Sequence, residues 1–159
     1  MLGVRPSDVA VGAVISPAVV VRLEDALGRL RTTYNGSVTI GLAANPGGAT
    51  LGGTTTVNAV AGLATFANLT VNAVANGYSF IASTGGISSD PSATFNATAG
   101  AATQLTFTQQ PTSAAPNTPL APPVIVTARD GQGNVATSFT GAVTLGFGTN
   151  PSGAVFGGT

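Results

Sequence analysis

An all-β fold is predicted from three observations. Apolar residues alternate with period two between turn clusters, which is the signature of strands and not of helices. Turn formers are abundant, with 22 glycines and 10 prolines in 159 residues. The chain also repeats itself: Pro17, Val19, Val21, Asp25, Gly28, Thr32, Gly36, Val38, Thr39 and Gly41 recur without a gap as Pro122, Val124, Val126, Asp130, Gly133, Thr137, Gly141, Val143, Thr144 and Gly146. The register runs on through NPGGATLGGT (45 to 54), which returns as NPSGAVFGGT (150 to 159). The period is 105 residues, so the chain reads as about one and a half copies of a single module. Residues 1–100 are expected to form one module with its first strand mostly missing, and residues 101–159 the N-terminal half of a second.

Taken in order, Met1 to Val4 match only the end of a strand that the second copy carries whole as TQLTFTQ (103 to 109), with Leu105 and Phe107 inward and Pro111 ending it. PAVVVRLED (17 to 25) places Val19, Val21 and Leu23 on one face, and its repeat places Val124, Val126 and Ala128 there. DALG and DGQG then turn the chain, with a glycine where a positive φ is most needed. SVTIGL points Val38, Ile40 and Leu42 inward. After the NPGG turn a short strand is expected around Thr54 to Val60. GLATFANLTV sets Ala64 and Phe66 on one face, and Leu69 and Val71 on a face reset by a break near Asn68. GYSFIAS directs Tyr78, Phe80 and Ala82 inward, and SATFNAT does the same with Ala93, Phe95 and Ala97.

About seven strands in one period is the count and size of an immunoglobulin-like Greek-key β-sandwich, here in tandem with the second copy incomplete. A seven-stranded barrel of the same length is the alternative that periodicity leaves open. Tyr78 follows an Asn-Gly turn at the start of the sixth strand, the place of a structural tyrosine corner in such sandwiches, and a plain core aromatic is the other reading.

The combination ISPAVVVRLEDALGR, YNGSVTIGL, NPGGATLGGTTTV, GLATFANLTV and GYSFIAS resembles the bacterial Ig-like repeats strung in long arrays in large secreted and cell-surface proteins, similar in outline to the stalk domains of invasin-type adhesins. The resemblance covers the whole chain and implies a non-catalytic module that spaces or presents something else. It brings no catalytic residues with it. Those arrays contain whole modules, and this chain departs from them in having an incomplete one.

Composition narrows the function classes. Charged residues make up 6% of the chain, against roughly 25% in an ordinary soluble domain, and five arginines balance five carboxylates. Such a chain has no electrostatic grip on nucleic acid. Histidine, lysine, cysteine and tryptophan are absent, which removes the usual general base, the Schiff-base and thiol nucleophiles, and cysteine metal sites. The carboxylates are Asp8, Glu24, Asp25, Asp90 and Asp130, and the adjacent Glu24 and Asp25 diverge on a strand. DGQGN (130 to 134) offers too few hard ligands for calcium, so its aspartate is expected to bond its own turn. No enzyme activity, cofactor or metal is therefore expected. Asn35, Asn68 and Asn96 each open an Asn-x-Ser/Thr triplet of the kind that arises by chance in a threonine-rich chain.

The N-terminal MLGVRPSDVAVGAVISPAVVV has the outline of a signal peptide, yet Ala10 to Val21 align with Ala115 to Val126 and so belong to the module. No stretch reaches the roughly 18 apolar residues of a membrane helix. The register begins inside a copy, so the natural beginning, with any export signal, is expected upstream. A hydroxyl-rich, neutral surface suits an extracellular or cell-surface location. The expected partners are neighbouring modules of the same chain or other copies of it, including a homopolymer. Strand edges without lysine favour strand addition. The second copy's inward face, Val124, Val126, Val143, Leu145 and Phe147, is expected to be the inter-module or inter-subunit contact. A structural stalk, spacer or fibre wall is thus the leading function. A self-assembling filament subunit completed by another copy is the alternative. A carbohydrate-binding module is weaker, since Tyr34 is the only tyrosine left outside the expected core.

Overall fold

The computed structural model describes residues 6 to 157, and all its regular elements are strands. The expected partial strand at Met1 to Val4 lies outside the described residues. The chain divides into two compact units, Met1–Gly100 with Gln132–Asn134, and Ala101–Gly131 with Val135–Thr159.

In the first unit the strands are β1 (Val9–Ala10), β2 (Val19–Arg22), β3 (Ser37–Ala44), β4 (Leu51–Gly52), β5 (Thr56–Asn58), β6 (Leu63–Phe66), β7 (Thr70–Val71), β8 (Ala75–Thr84), β9 (Ile87–Ser88) and β10 (Phe95–Thr98). One mixed sheet has the order β1-β10-β8-β3-β5, with β9 also paired to β8. Within it β1 runs parallel to β10, and the other ladders are antiparallel. β2 pairs with β6 and β4 with β7.

The two groups of strands bury one core, as expected of a β-sandwich. Val19 and Val21 of β2 and Ala64 and Phe66 of β6 belong to the same buried cluster as Val38 and Ile40 of β3, Phe80 and Ala82 of β8, and Phe95 and Ala97 of β10. Each set alternates along its strand because successive side chains point to opposite faces. Phe80 stacks on Phe95 with ring centroids 4.9 Å apart. Leu69 and Val71 are buried on the face reset after Asn68. Leu23, Leu42, Leu51 and Val57 pack at the margin.

Irregularities in the ladders are closed by side chains. The register slips between Leu42 and Ala44, and the displaced Ala44 N–H donates to the buried Ser79 hydroxyl at 3.1 Å, so the bulge leaves no orphaned donor. Between β9 and β10 the hydroxyls of Ser89 and Ser92 accept the Ala82 and Phe80 N–H groups, at 3.0 and 2.9 Å. The chain there runs beside β8 through serines instead of a ladder, and β10 begins only at Phe95. Ala93 is accordingly exposed, which corrects the expectation that it points inward. The single strand expected near Thr54 to Val60 is shorter, at Thr56–Asn58, with the separate pair of residues β4 before it.

The second unit contains β11 (Gln104–Gln109) and β12 (Ile125–Arg129), paired antiparallel with Leu105 opposite Ala128 and Phe107 opposite Val126. Residues 142 to 149, the counterpart of β3, form no strand, so this half supplies two strands among the described residues where about three were expected.

Local backbone devices nevertheless return at the repeat distance. Gly28 and Gly133 have φ of 76° and 83°, the left-handed conformation their turns require. Ser16-Pro17 and Ala121-Pro122 are both cis. Arg31 N–H donates to Leu23 O at 2.8 Å, and Ala136 N–H to Ala128 O at 2.9 Å.

Candidate interaction surfaces

The polar groups of the first unit are committed to holding strands together. Asp25 turns its carboxylate onto its own loop: Oδ1 accepts the Leu27 and Arg29 N–H groups at 2.9 and 3.0 Å, and Oδ2 pairs with the Arg29 guanidinium at 3.1 Å. The Arg29 N–H bond, helped by that of Leu27 and by the guanidinium, holds the carboxyl below its usual value. Glu24 pairs instead with Arg22 at 3.2 Å. The two adjacent carboxylates thus serve different neighbours, although both lie beyond the end of β2 and not on a strand as expected. Asp8 ties β1 to β10 by accepting from Asn96 N–H at 2.8 Å and from its Nδ2 at 3.2 Å. Among the described residues no three of His, Cys, Asp and Glu converge.

The three Asn-x-Ser/Thr asparagines are likewise in use. Asn35 Oδ1 accepts Ala61 N–H at 3.0 Å, Asn68 Oδ1 accepts Thr54 N–H at 2.9 Å, and Asn96 Oδ1 accepts Gly77 N–H at 3.1 Å. Each amide oxygen bridges segments distant in sequence, and the nitrogens donate too, to Thr33 O at 3.3 Å, Thr54 Oγ1 at 3.1 Å and Asp8 Oδ2 at 3.2 Å.

Tyr78 is buried, and its hydroxyl donates to the Ala73 carbonyl at 2.9 Å. Burial pushes the phenol above its ordinary value, and the Gly47 N–H acts weakly against this. The hydroxyl lies so close to Gly47 that a Cβ there would stand 2.2 Å away. Ser152 occupies the corresponding position of the second copy.

The five residues expected to make contacts from the second unit are unevenly covered. Val124 and Val126 are half-buried, whereas Val143, Leu145 and Phe147 are 43%, 40% and 47% exposed. Their counterparts Val38 and Ile40 are 1% and 2% exposed. One further residue joins this face: Phe156 stacks on Phe147 with centroids 3.9 Å apart and planes 4° from parallel. The repeat makes Phe156 the counterpart of Leu51, which packs against the first unit's core.

The first unit also has an open groove of about 350 Å³, lined by Val21 and Leu23, by Tyr34, by Val38, and by Ala82 and Ile87. Arg22, Glu24 and Arg31 contribute to its wall. Tyr34 is outside the buried cluster, half-buried against its margin, and its hydroxyl bonds Thr84. Among the described residues no helix is long and apolar enough to cross a membrane. No family model, curated protein or solved structure matches the chain.

Proposed function

We propose that the chain is a segment of a tandem array of immunoglobulin-like Greek-key sandwiches and acts mechanically, as a stalk, spacer or fibre wall of an extracellular bacterial structure. The observation that carries this reading is the parallel pairing of β1 with β10, the first and last strands of the described part of the first unit. Val9 stands opposite Ala97 and Ala10 opposite Thr98, Val11 N–H donates to Thr98 O at 2.8 Å, and the Asp8 carboxylate clamps Asn96 from the same side. Tension on the two ends of such a unit drags these parallel strands in opposite directions along their own axes. The bonds between them are then sheared together and do not open one by one.

Other features favour the same assignment. The chain alternates between the layers holding β2 with β6 and β3 with β8, and the Tyr78–Ala73 bond has the form of a tyrosine corner, in which a tyrosine hydroxyl returns to the backbone a few residues upstream. A neutral surface with 6% charged residues offers little repulsion to packed copies.

The test is single-molecule extension of the whole chain held at its two ends. The expected result is one cooperative rupture that releases roughly 3.6 Å per residue of the first unit, at a force lowered by Asp8→Ala. Gradual extension without a rupture would exclude a mechanical role.

A filament subunit is the second reading, favoured by the exposed alternating face Val143, Leu145 and Phe147 and by the Phe147–Phe156 stack. It predicts a mass that grows with concentration and a Leu145→Arg variant that stays monomeric.

A further inference from the structure

The sequence contains two Asn-Gly pairs, Asn35-Gly36 and Asn76-Gly77. An asparagine before glycine can close on itself, because a following residue without a Cβ lets its own nitrogen reach the asparagine Cγ. The structure treats the two pairs differently. Asn76 sits inside β8 opposite Asn96, and the Gly77 N–H, the nucleophile of that pair, donates to Asn96 Oδ1 at 3.1 Å. Asn35 is exposed, in the segment before β3, and among the described residues the Gly36 N–H has no hydrogen-bond acceptor. That nitrogen can lose its proton without breaking a bond of the fold.

The Asn35 side chain is prepared for the attack. Ala61 N–H donates to its Oδ1 at 3.0 Å, and Oδ1 is the atom on which negative charge gathers when Cγ is attacked, so this donor stabilises the developing oxyanion. Ala61 is itself fixed, because φ of 50° at Ala61 and 81° at Gly62 build the tight turn between Val60 and Leu63. The leaving nitrogen is held more loosely, by one bond of 3.3 Å to Thr33 O. The glycine is set by packing, since a Cβ at Gly36 would stand 2.5 Å from the Tyr34 hydroxyl. The second copy keeps this packing, with Gly141 against Phe139, and has Thr140 at the position of Asn35.

We propose that Asn35 is a self-modifying site, at which the folded chain converts to aspartate and isoaspartate forms while Asn76 stays intact. The Gly36 nitrogen, its proton taken by hydroxide, bonds to Asn35 Cγ. The Cγ–Nδ2 bond breaks and ammonia departs with a proton from water, which restores the hydroxide and leaves a cyclic succinimide. Water then opens the ring: cleavage at Cγ–N gives aspartate, and cleavage between the Asn35 main-chain carbonyl and N gives isoaspartate. Either product adds one negative charge to a chain whose formal net charge is zero. Isoaspartate also lengthens the main chain by one carbon between two fixed points, the Tyr34 carbonyl, which accepts Gly62 N–H, and the Gly36 carbonyl, which accepts Ala59 N–H, both at 2.9 Å. Those two bonds loosen in that form. The site is independent of the mechanical reading, since it needs only the first unit's fold and water.

To test it, the full chain is incubated at pH 8 in oxygen-18 water, digested with chymotrypsin and followed by mass spectrometry. Peptides carrying Asn35 are expected to exchange amide nitrogen for labelled oxygen at a rate that rises with pH, at least tenfold faster than those carrying Asn76, with isoaspartate among the products. Chain unfolded in urea should convert the two at similar rates, which assigns the difference to the fold. Asn35→Thr, the second copy's residue, should remove the new acidic band seen on isoelectric focusing. In the isoaspartate form, amide exchange at Ala59 and Gly62 should quicken at least tenfold. Native Asn35 converting no faster than native Asn76 overturns the proposal, as does conversion at Asn35 without isoaspartate. Unchanged exchange at Ala59 and Gly62 overturns its structural consequence.

Discussion

SVTIGLAANPGGA (37 to 49) in the first unit and AVTLGFGTNPSGA (142 to 154) in the second have nearly the same pattern and different structures. The first half of the first segment is the strand β3, bonded to β8 on one side and β5 on the other. The same half of the second segment is no strand. The turns at their ends are nevertheless alike. Asn45 donates from Nδ2 to Ala49 O at 2.8 Å and accepts Ala49 N–H at 2.7 Å, and Asn150 makes the same pair with Ala154 at 2.6 and 2.8 Å. A turn closed by an asparagine over four residues carries its partners within itself. A strand needs partners that lie far away in sequence, and its formation waits on them.

The strongest way to break this contrast is to empty the first unit's core. Phe80→Ala is expected to cost about 3 to 5 kcal/mol, because Phe80 is fully buried against Phe95. Asp90→Ala, at an exposed position, should leave a urea melt in place. Equal effects from the two would show that the buried face is misassigned.

Matched substitutions at one repeat position sharpen the contrast further. Ile40→Ala should cost about 2 to 5 kcal/mol, the range for truncating a buried aliphatic, and Leu145→Ala in a monomeric sample no more than about 0.5 kcal/mol. Amide exchange followed on the same samples should be slow through 37 to 44 and fast through 142 to 149. A comparable loss at Leu145 would mean that its side chain is covered.

A smaller effect exchanges one residue between the copies. Gly47→Ser places the second copy's residue beside the Tyr78 hydroxyl and should cost about 1 to 3 kcal/mol through overpacking. Tyr78→Phe removes the clashing oxygen and also a bond to Ala73. The double variant should therefore be more stable than the sum of the two single losses implies, a non-additivity expected of side chains in contact. Strict additivity in denaturant melts would show that the serine finds another way to fit.

The smallest effect belongs to the Asp25 turn. Its carboxyl is depressed in the fold, so its contribution is present above the unfolded value, about 3.9, and is lost as the pH falls through the folded one. Thermal melts from pH 6 down to pH 2 should show wild type losing more than Asp25→Asn. Parallel curves would mean that the turn gains nothing from the charge.

Much of the first unit was legible in the residues. Val19, Val21, Val38, Ile40, Phe66, Tyr78 and Phe80 were expected to point inward from the two-residue spacing along their strands, and each is buried. Gly28 and Gly133 were marked as positive-φ positions by their turns. Ala93 was misread because the pattern of SATFNAT has no sign that Ser92 bonds Phe80 across to β8. The Tyr34–Thr84 bond was not legible because its partners are distant in sequence. β1 and β9, each two residues long, are too short for a period to register, and the groove beside β2 is a property of the surfaces that meet there.

By itself the sequence determined the repeat, the turns and the inward faces, since these depend on residues a few positions apart and on the two-residue period of an extended chain. Only the tertiary structure decided which faces are covered, that β2 pairs with β6 and that β1 runs parallel to β10. The reason is that a ladder bond or a buried contact belongs to two segments at once, and a pattern read along one segment specifies what it can offer and not what stands opposite.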